Sequence, residues 1–238
     1  MTDEADLAQV WLVHDDLPPG LDLAQLSEVL DTEEGQRADQ LQSDGDRRRF
    51  VVAHAAQRLI VGERLGAPAG ELRWERGPHG KPTLCGRWTG VSDNLSHSGG
   101  LCLVAITERR RVGVDIQRLI PGMDVVAMAE RYFRPEEARF VRESQDAAVR
   151  ADRFARLWSR KEALAKAGGG RLIPQGMPAP VRDAGEVVVE YPDPADPGLY
   201  RVADLPAPPG FSAAIALSGE EDFHVESREW CWPTALSG

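Results

Sequence analysis

The chain has 238 residues, 28% of them charged, with a formal net charge of -10. That length holds one large domain or two small ones, with enough chain to bury a core in either case. The acidic balance excludes non-specific nucleic-acid binding, no apolar run reaches membrane-span length, and the acidic start Met1-Thr-Asp-Glu lacks the basic and apolar regions of a secretory leader.

In chain order, Gln9 to Val13 reads as a first short strand, followed by a Pro-Pro-Gly loop. From Asp22 to Arg64 the pattern is helical, broken near Ser43-Asp44-Gly45-Asp46, with Asp46 expected to cap a helix that starts at Arg47. Glu71 to Trp74 is a candidate strand, and Gly77 to Pro82 is a turn-rich loop. Asn94-Leu-Ser96-His97-Ser98 reads as a polar, anion-facing loop. Leu101 to Thr107 and Arg111 to Gln117 are strands. Val125 to Tyr132, Pro135 to Arg142 and Ala147 to Ala167 are helices, the last stopped by Gly168-Gly169-Gly170. Val187 to Tyr191, Tyr200 to Ala203 and Ser212 to Leu217 are strands separated by Pro-rich loops. Helices precede strands in each half, which predicts an α+β fold of two small lobes, 1-108 and 109-238. Cys85, Cys102 and Cys231 are odd in number and widely spaced, as in reduced cytoplasmic thiols rather than a disulfide frame.

Two stretches carry chemistry. In the long helix, Leu157, Trp158, Leu164 and Ala165 form an apolar stripe, while Glu162 and Lys166 are surface neighbours one turn apart. Such a pair is most often a surface salt bridge; it is also a carboxylate for a divalent cation beside an ammonium for a phosphate. In the strand Arg111 to Gln117, Val112, Val114 and Ile116 point one way, and Gly113, Asp115 and Gln117 the other. Alternation thus aims two oxygen ligands at one face. Gly113 leaves room for something bulky against the backbone.

Together these motifs resemble the signature of the 4'-phosphopantetheinyl transferases, specifically the two-lobed, surfactin-type branch. The matching residues are Gly113-Val-Asp115, Trp158-Ser-Arg-Lys161-Glu162-Ala-Leu-Ala-Lys166, His79-Gly80-Lys81-Pro82 and Asn94-Leu-Ser96-His97-Ser98, in family order. The resemblance implies two pseudo-symmetric lobes, each a small antiparallel sheet with packed helices. Coenzyme A would bind at their interface. It implies Mg²⁺-dependent transfer of the phosphopantetheine arm to a serine of an apo carrier protein of fatty-acid, polyketide or nonribosomal-peptide type, with release of adenosine 3',5'-bisphosphate.

The resemblance assigns Asp115 and Glu162 to the metal. Glu162 would also activate the serine, and Lys166 would contact the phosphates. Ser96 and His97 match a pair on the coenzyme A phosphates. Lys81, shaped by His79, Gly80 and Pro82, matches a residue near the adenine. Arg49 and Arg37 fall where the family places basic residues for the 3'-phosphate. Gln117 stands where many relatives carry a third acid, Glu34 where one has a second Lys, and Arg171 where Gly is common. A monomer without membrane or nucleic-acid partners is expected. Ile120, Met123 and Val125 offer apolar contacts for the carrier. Two rival readings remain: a two-carboxylate metal-dependent phosphodiester hydrolase, and a non-catalytic protein that binds coenzyme A or a carrier.

Overall fold

The computed structural model describes residues 6-77, 80-169, 185-191 and 198-233. Its elements are β1 (Asp6–His14), α1 (Leu23–Val29), α2 (Thr32–Asp39), α3 (Asp44–Leu65), β2 (Trp74–Arg76), β3 (Pro82–Leu84), β4 (Ser92–Ser98), β5 (Leu101–Thr107) and β6 (Val112–Arg118). They continue with α4 (Val125–Tyr132), α5 (Pro135–Arg142), α6 (Ala147–Ala167), β7 (Val187–Tyr191), β8 (Gly198–Leu205), β9 (Phe211–Ser218) and β10 (Phe223–Glu229). The fold is α+β, as expected.

Two four-stranded sheets dominate, in the orders β10-β1-β5-β4 and β6-β9-β8-β7. All pairs within them are antiparallel except β1 with β10, which is parallel, with Asp6 opposite Phe223. The last strand, unforeseen in the sequence, therefore lies in the sheet of the first half.

Period-two alternation explains the layering. Ala8, Val10, Leu101, Leu103 and Ala105 of the first sheet share one core with Val112, Val114, Ile116, Ala203, Ile215 and Leu217 of the second. Trp11, Val13, Cys102, Val104 and Ile106 point the other way onto α3, through Ala53, Ala56 and Ile60. In the second sheet Val202, Ala214 and Ala216 likewise meet α6 through Ala163, Leu164 and Ala167. The order is helix, sheet, sheet, helix, with the two long helices outermost. Strands apolar on both faces are what such a double burial requires.

Several local details differ from the sequence reading. The cap of α3 is Ser43, whose hydroxyl accepts from the Asp46 amide; Asp46 is already inside the helix. Residues Ala69–Glu71 form a 3-10 turn, and the strand begins only at Trp74. Asn94 to Ser98 is not a loop but most of β4. Asp31 and Glu34 form a capping box on α2 and also bind the buried guanidinium of Arg58, which donates further to the carbonyls of Ala69 and Leu72. Glu34 is thus a partner of Arg58 in the scaffold rather than a changed contact in a phosphate subsite.

Candidate active site

Gly113, Asp115 and Gln117 project from β6 towards α6, as alternation requires. What lies against Gly113 is the helix itself. A Cβ there would stand 2.1 Å from the carbonyl oxygen of Ala163 and 2.4 Å from the amide nitrogen of Ala167. The glycine lets strand and helix backbones touch, and so brings Asp115 beside the turn that carries Glu162 and Lys166.

Lys166 does not pair with Glu162. Its Nζ donates to Asp115 Oδ1 at 2.7 Å, to Ser96 Oγ at 2.9 Å and to the Val114 carbonyl at 3.1 Å. Ser96 Oγ in turn donates to Asp115 Oδ1 at 2.8 Å and accepts from the Ile116 amide at 3.2 Å. Burial is the main influence on the Asp115 carboxyl and pushes its pKa up, against the Lys166 ammonium, which pulls it down. Its second oxygen, Oδ2, is buried and has no hydrogen-bond partner among the described residues. An unpaired buried carboxylate oxygen is costly, and its presence points to a ligand.

Glu162 supplies a second carboxylate on the helix side. Its pKa is raised to about 7, first by burial and then by the charge of Asp115, with Lys166 opposing. Among the described residues its carboxylate has no hydrogen-bond partner. Two under-coordinated carboxylates of hard oxygen donors are the donor set of a small divalent cation that keeps water and substrate phosphate as its remaining ligands. No group of three or more His, Cys, Asp or Glu side chains that could hold a metal occurs among the described residues. Gln117 is turned to the backbone, its Nε2 donating to the Arg118 carbonyl at 2.9 Å.

The first half adds further polar side chains, of which His97 lies near enough to Lys166, Arg49 and Asp115 to feel their charges. His97 stands exposed on β4, on the face opposite buried Ser96, so the structure separates a pair adjacent in sequence. Close packing and then the charges of Lys166 and Arg49 hold the His97 pKa below its usual value. Arg49, on the second turn of α3, pairs with Asp46. Arg37 covers the ring of Phe50 at 5.0 Å, and Phe50 stacks on His54 at 3.8 Å. Lys81 donates to the Val112 carbonyl at 2.8 Å, and burial lowers its pKa to about 8. The hairpin before it turns through Gly80, at φ 83°, whose amide donates to the Gly77 carbonyl. Pro82 opens β3. His79 and Arg171 lie outside the described residues.

Comparisons with known proteins identify the family. Residues 18–109 match the family model described as 4'-phosphopantetheinyl transferase, N-terminal, and residues 111–184 match that of the 4'-phosphopantetheinyl transferase superfamily. The chain is 34% identical to the 4'-phosphopantetheinyl transferase HetI of Nostoc sp. over 167 residues, covering 69% of this chain and 70% of that one. The chain belongs to the 4'-phosphopantetheinyl transferase superfamily. It is also 29% identical over 231 residues to a Synechocystis sp. protein with a provisional 4'-phosphopantetheinyl transferase name, covering 94% of this chain and 87% of that one. With the 4'-phosphopantetheinyl transferase AcpT of Salmonella typhi it shares 30% over 146 residues, 61% of this chain and 73% of that one. As a member of this family the chain is a transferase.

Other buried polar contacts around the candidate site escaped the sequence reading. Asp93, buried on β4, accepts from Gln57 at 2.5 Å and from Trp74 Nε1 at 2.9 Å, and its charge opposes the lowering of the Lys81 pKa. Lys161, inside the helix signature, is fully buried and pairs with Glu137 of α5 at 3.0 Å. It anchors the turn that presents Glu162. Arg160 is equally buried and binds Asp204 of β8 through two nitrogens, at 2.5 and 2.7 Å. Of the Arg109-Arg110-Arg111 run, Arg110 is spent on the carbonyls of Ser218, Gly219 and Glu221, where it ties the β5–β6 link to the β9–β10 turn. Of the three apolar residues expected to meet a partner, Val125 is buried at 7% exposure and Met123 is partly buried in the α4–α6 core, leaving Ile120 exposed at 52%.

Proposed function

We propose that the chain transfers the 4'-phosphopantetheine arm of coenzyme A to a serine hydroxyl of an apo carrier protein, releasing adenosine 3',5'-bisphosphate. The observation that carries this reading is the pair Asp115 and Glu162, each with carboxylate oxygen to spare among the described residues, beside Lys166.

Asp115 Oδ2 and Glu162 would hold Mg²⁺. When bound, the ion neutralises the pyrophosphate and the charge that develops on the leaving phosphate. Lys166, its three N–H groups held by Asp115, Ser96 and the Val114 carbonyl, would bring a fixed positive charge to the phosphates and would exchange one of these partners for a phosphate oxygen on direct contact. Glu162, whose carboxylate has no hydrogen-bond partner among the described residues, is the group that would take the serine proton as the oxygen attacks the β-phosphate, a bound cation keeping it ionised until then. Lys81, His97, Arg49 and Arg37 form the wall for the adenosine and its 3'-phosphate; arginine suits the bidentate contact. Ser96 acts from beneath, orienting Asp115 and Lys166.

In this reading 1-108, its sheet completed by β10, is the coenzyme A lobe, and the rest of 109-238 is the metal and catalytic lobe. The meeting of the two family-model matches at residue 110 supports that division. The carrier would dock on the groove of about 430 Å³ between Leu119–Val126 and the start of α6, with Ile120 as its apolar contact. Cys85, Cys102 and Cys231 are free thiols, as suits a monomer working in the reducing cytoplasm.

The test is incubation with coenzyme A, Mg²⁺ and a panel of apo carriers, read by intact-protein mass. A carrier that gains the phosphopantetheine mass, and fails to do so with chelator present, supports the proposal. Coenzyme A cleaved with water as acceptor, and no carrier modified, would establish the hydrolase reading instead.

A further inference from the structure

The two sheets meet at β4 and β6 through side chains, not backbone. These edge strands run in the same direction, and alternate residues of β4 accept from alternate amides of β6. Ser92 Oγ takes the Val112 amide at 3.1 Å, and Asn94 Oδ1 the Val114 amide at 2.9 Å. Ser96 Oγ takes the Ile116 amide at 3.2 Å, and Ser98 Oγ the Arg118 amide at 3.0 Å. The rungs keep one register throughout. The pattern Ser-x-Asn-x-Ser-x-Ser is therefore a row of acceptors on the face of β4 turned to the second sheet.

Side-chain rungs do something that backbone pairing could not. In ordinary pairing the amides of β4 would also fill the carbonyls of β6, with the strands roughly 4.8 Å apart. Hydroxyl and amide oxygens satisfy the β6 amides but leave its carbonyls open. Lys81 occupies the Val112 carbonyl and Lys166 the Val114 carbonyl. Both ammonium groups are thus seated on the seam, between the halves that supply the rest of the site.

We infer that this ladder sets the register of the two halves for phosphopantetheine transfer, with Asn94 as its central positioning residue. The inference rests on the roles proposed above for Asp115, Glu162 and Lys166. Asn94 joins β4 to the residue beside Asp115, whereas Ser96 is shared with the reacting groups. A slip by one rung would move the halves by two residues, about 6.6 Å at strand rise, far beyond what catalysis tolerates. Loss of one rung loosens the seam by smaller amounts, which reach the chemical step before they reach ground-state binding.

The experiment compares wild type, Asn94→Ala and Asn94→Ser by steady-state transfer and by hydrogen exchange at the amides of residues 112–118. Asn94→Ala should lower kcat about tenfold, with KM for coenzyme A changed less than about threefold, and should speed exchange at the Val114 amide. Asn94→Ser, which restores a hydroxyl like the other rungs, should recover both. Unchanged kcat in Asn94→Ala despite faster exchange overturns the inference. So does a serine variant that recovers protection but not kcat, since Asn94 would then act by direct contact with substrate. If Asn94→Ala does not fold, the double variant Ser92→Ala/Ser98→Ala carries the same comparison on the outer rungs. Reduced kcat with faster exchange at Val112 and Arg118 supports the ladder, and unchanged kcat overturns it. Wild-type protein that modifies no carrier would defeat the functional reading and the positioning role together; an active wild type with insensitive variants defeats the ladder alone.

Discussion

Replacing Gly113 by alanine adds one methyl group where helix α6 leaves no space. The new Cβ would lie 2.1 Å from the Ala163 carbonyl oxygen and 2.4 Å from the Ala167 nitrogen, against a practical minimum of 3.0 Å. Both neighbours are helix backbone, so no side chain can swing away. The helix must retreat by roughly 1 Å, and displacements of that size in a positioned catalytic group cost on the order of a hundredfold in rate. Overpacking of a filled core costs about 1–3 kcal/mol. The entropy gained by removing a glycine, about 0.4–1 kcal/mol, opposes this and is smaller. Destabilisation therefore wins. The assay is carrier modification by intact-protein mass, with the denaturation midpoint of the same preparation. The variant should fold with a lower midpoint and transfer about a hundredfold more slowly. A folded Gly113→Ala protein with wild-type rate would refute the idea that contact between β6 and α6 places Glu162 and Lys166.

Asp115→Ala and Glu162→Ala should each lower transfer on the order of a hundredfold or more while the far-ultraviolet dichroism stays native, the scale of removing one preorganised electrostatic element; normal activity in either folded variant would end the metal assignment. Lys161→Ala removes the buried cation that faces Glu137 at 3.0 Å and should cost about 3–5 kcal/mol in urea denaturation, whereas Glu137→Leu combined with Lys161→Met should recover most of it. Equal stability of the single and double variants would contradict the buried pair. His54 donates its Nδ1 proton to the Phe50 carbonyl, and burial holds its pKa at about 3, far below 6.5. The unfolded chain thus binds a proton between those values that the folded chain refuses, and stability falls as the pH drops from 6.5 towards 3. Each unit within that window removes about 1.4 kcal/mol, so His54→Leu should flatten the pH dependence of the urea midpoint between pH 6.5 and 5, and identical slopes would exclude the effect.

Much of the architecture was local enough to be legible. The strand Leu101 to Thr107 and the helices Val125 to Tyr132, Pro135 to Arg142 and Ala147 to Ala167 have the limits that apolar period and punctuation imply. The same period put Asp115 on the face opposite Val114, and helical spacing put Glu162 beside Lys166. The composition of the chemistry was therefore written in the sequence. The choice of partners was not. Lys166 binds Asp115 rather than Glu162 because the close approach at Gly113 places a buried carboxylate nearer than the neighbour one helical turn away. Ser96 and His97 part company because successive strand residues face opposite sides. The polar row of β4 looked like a loop because its partners are backbone amides on another strand, which carry no residue-specific signal. Strand β10 was missed for a related reason: its outward residues are charged, and its pairing with β1 joins the two ends of the chain. Period and residue type are fixed by neighbours in sequence. Which donor meets which acceptor, and which charge is desolvated, depends on contacts between distant segments, and these exist only once the sheets have closed on one another.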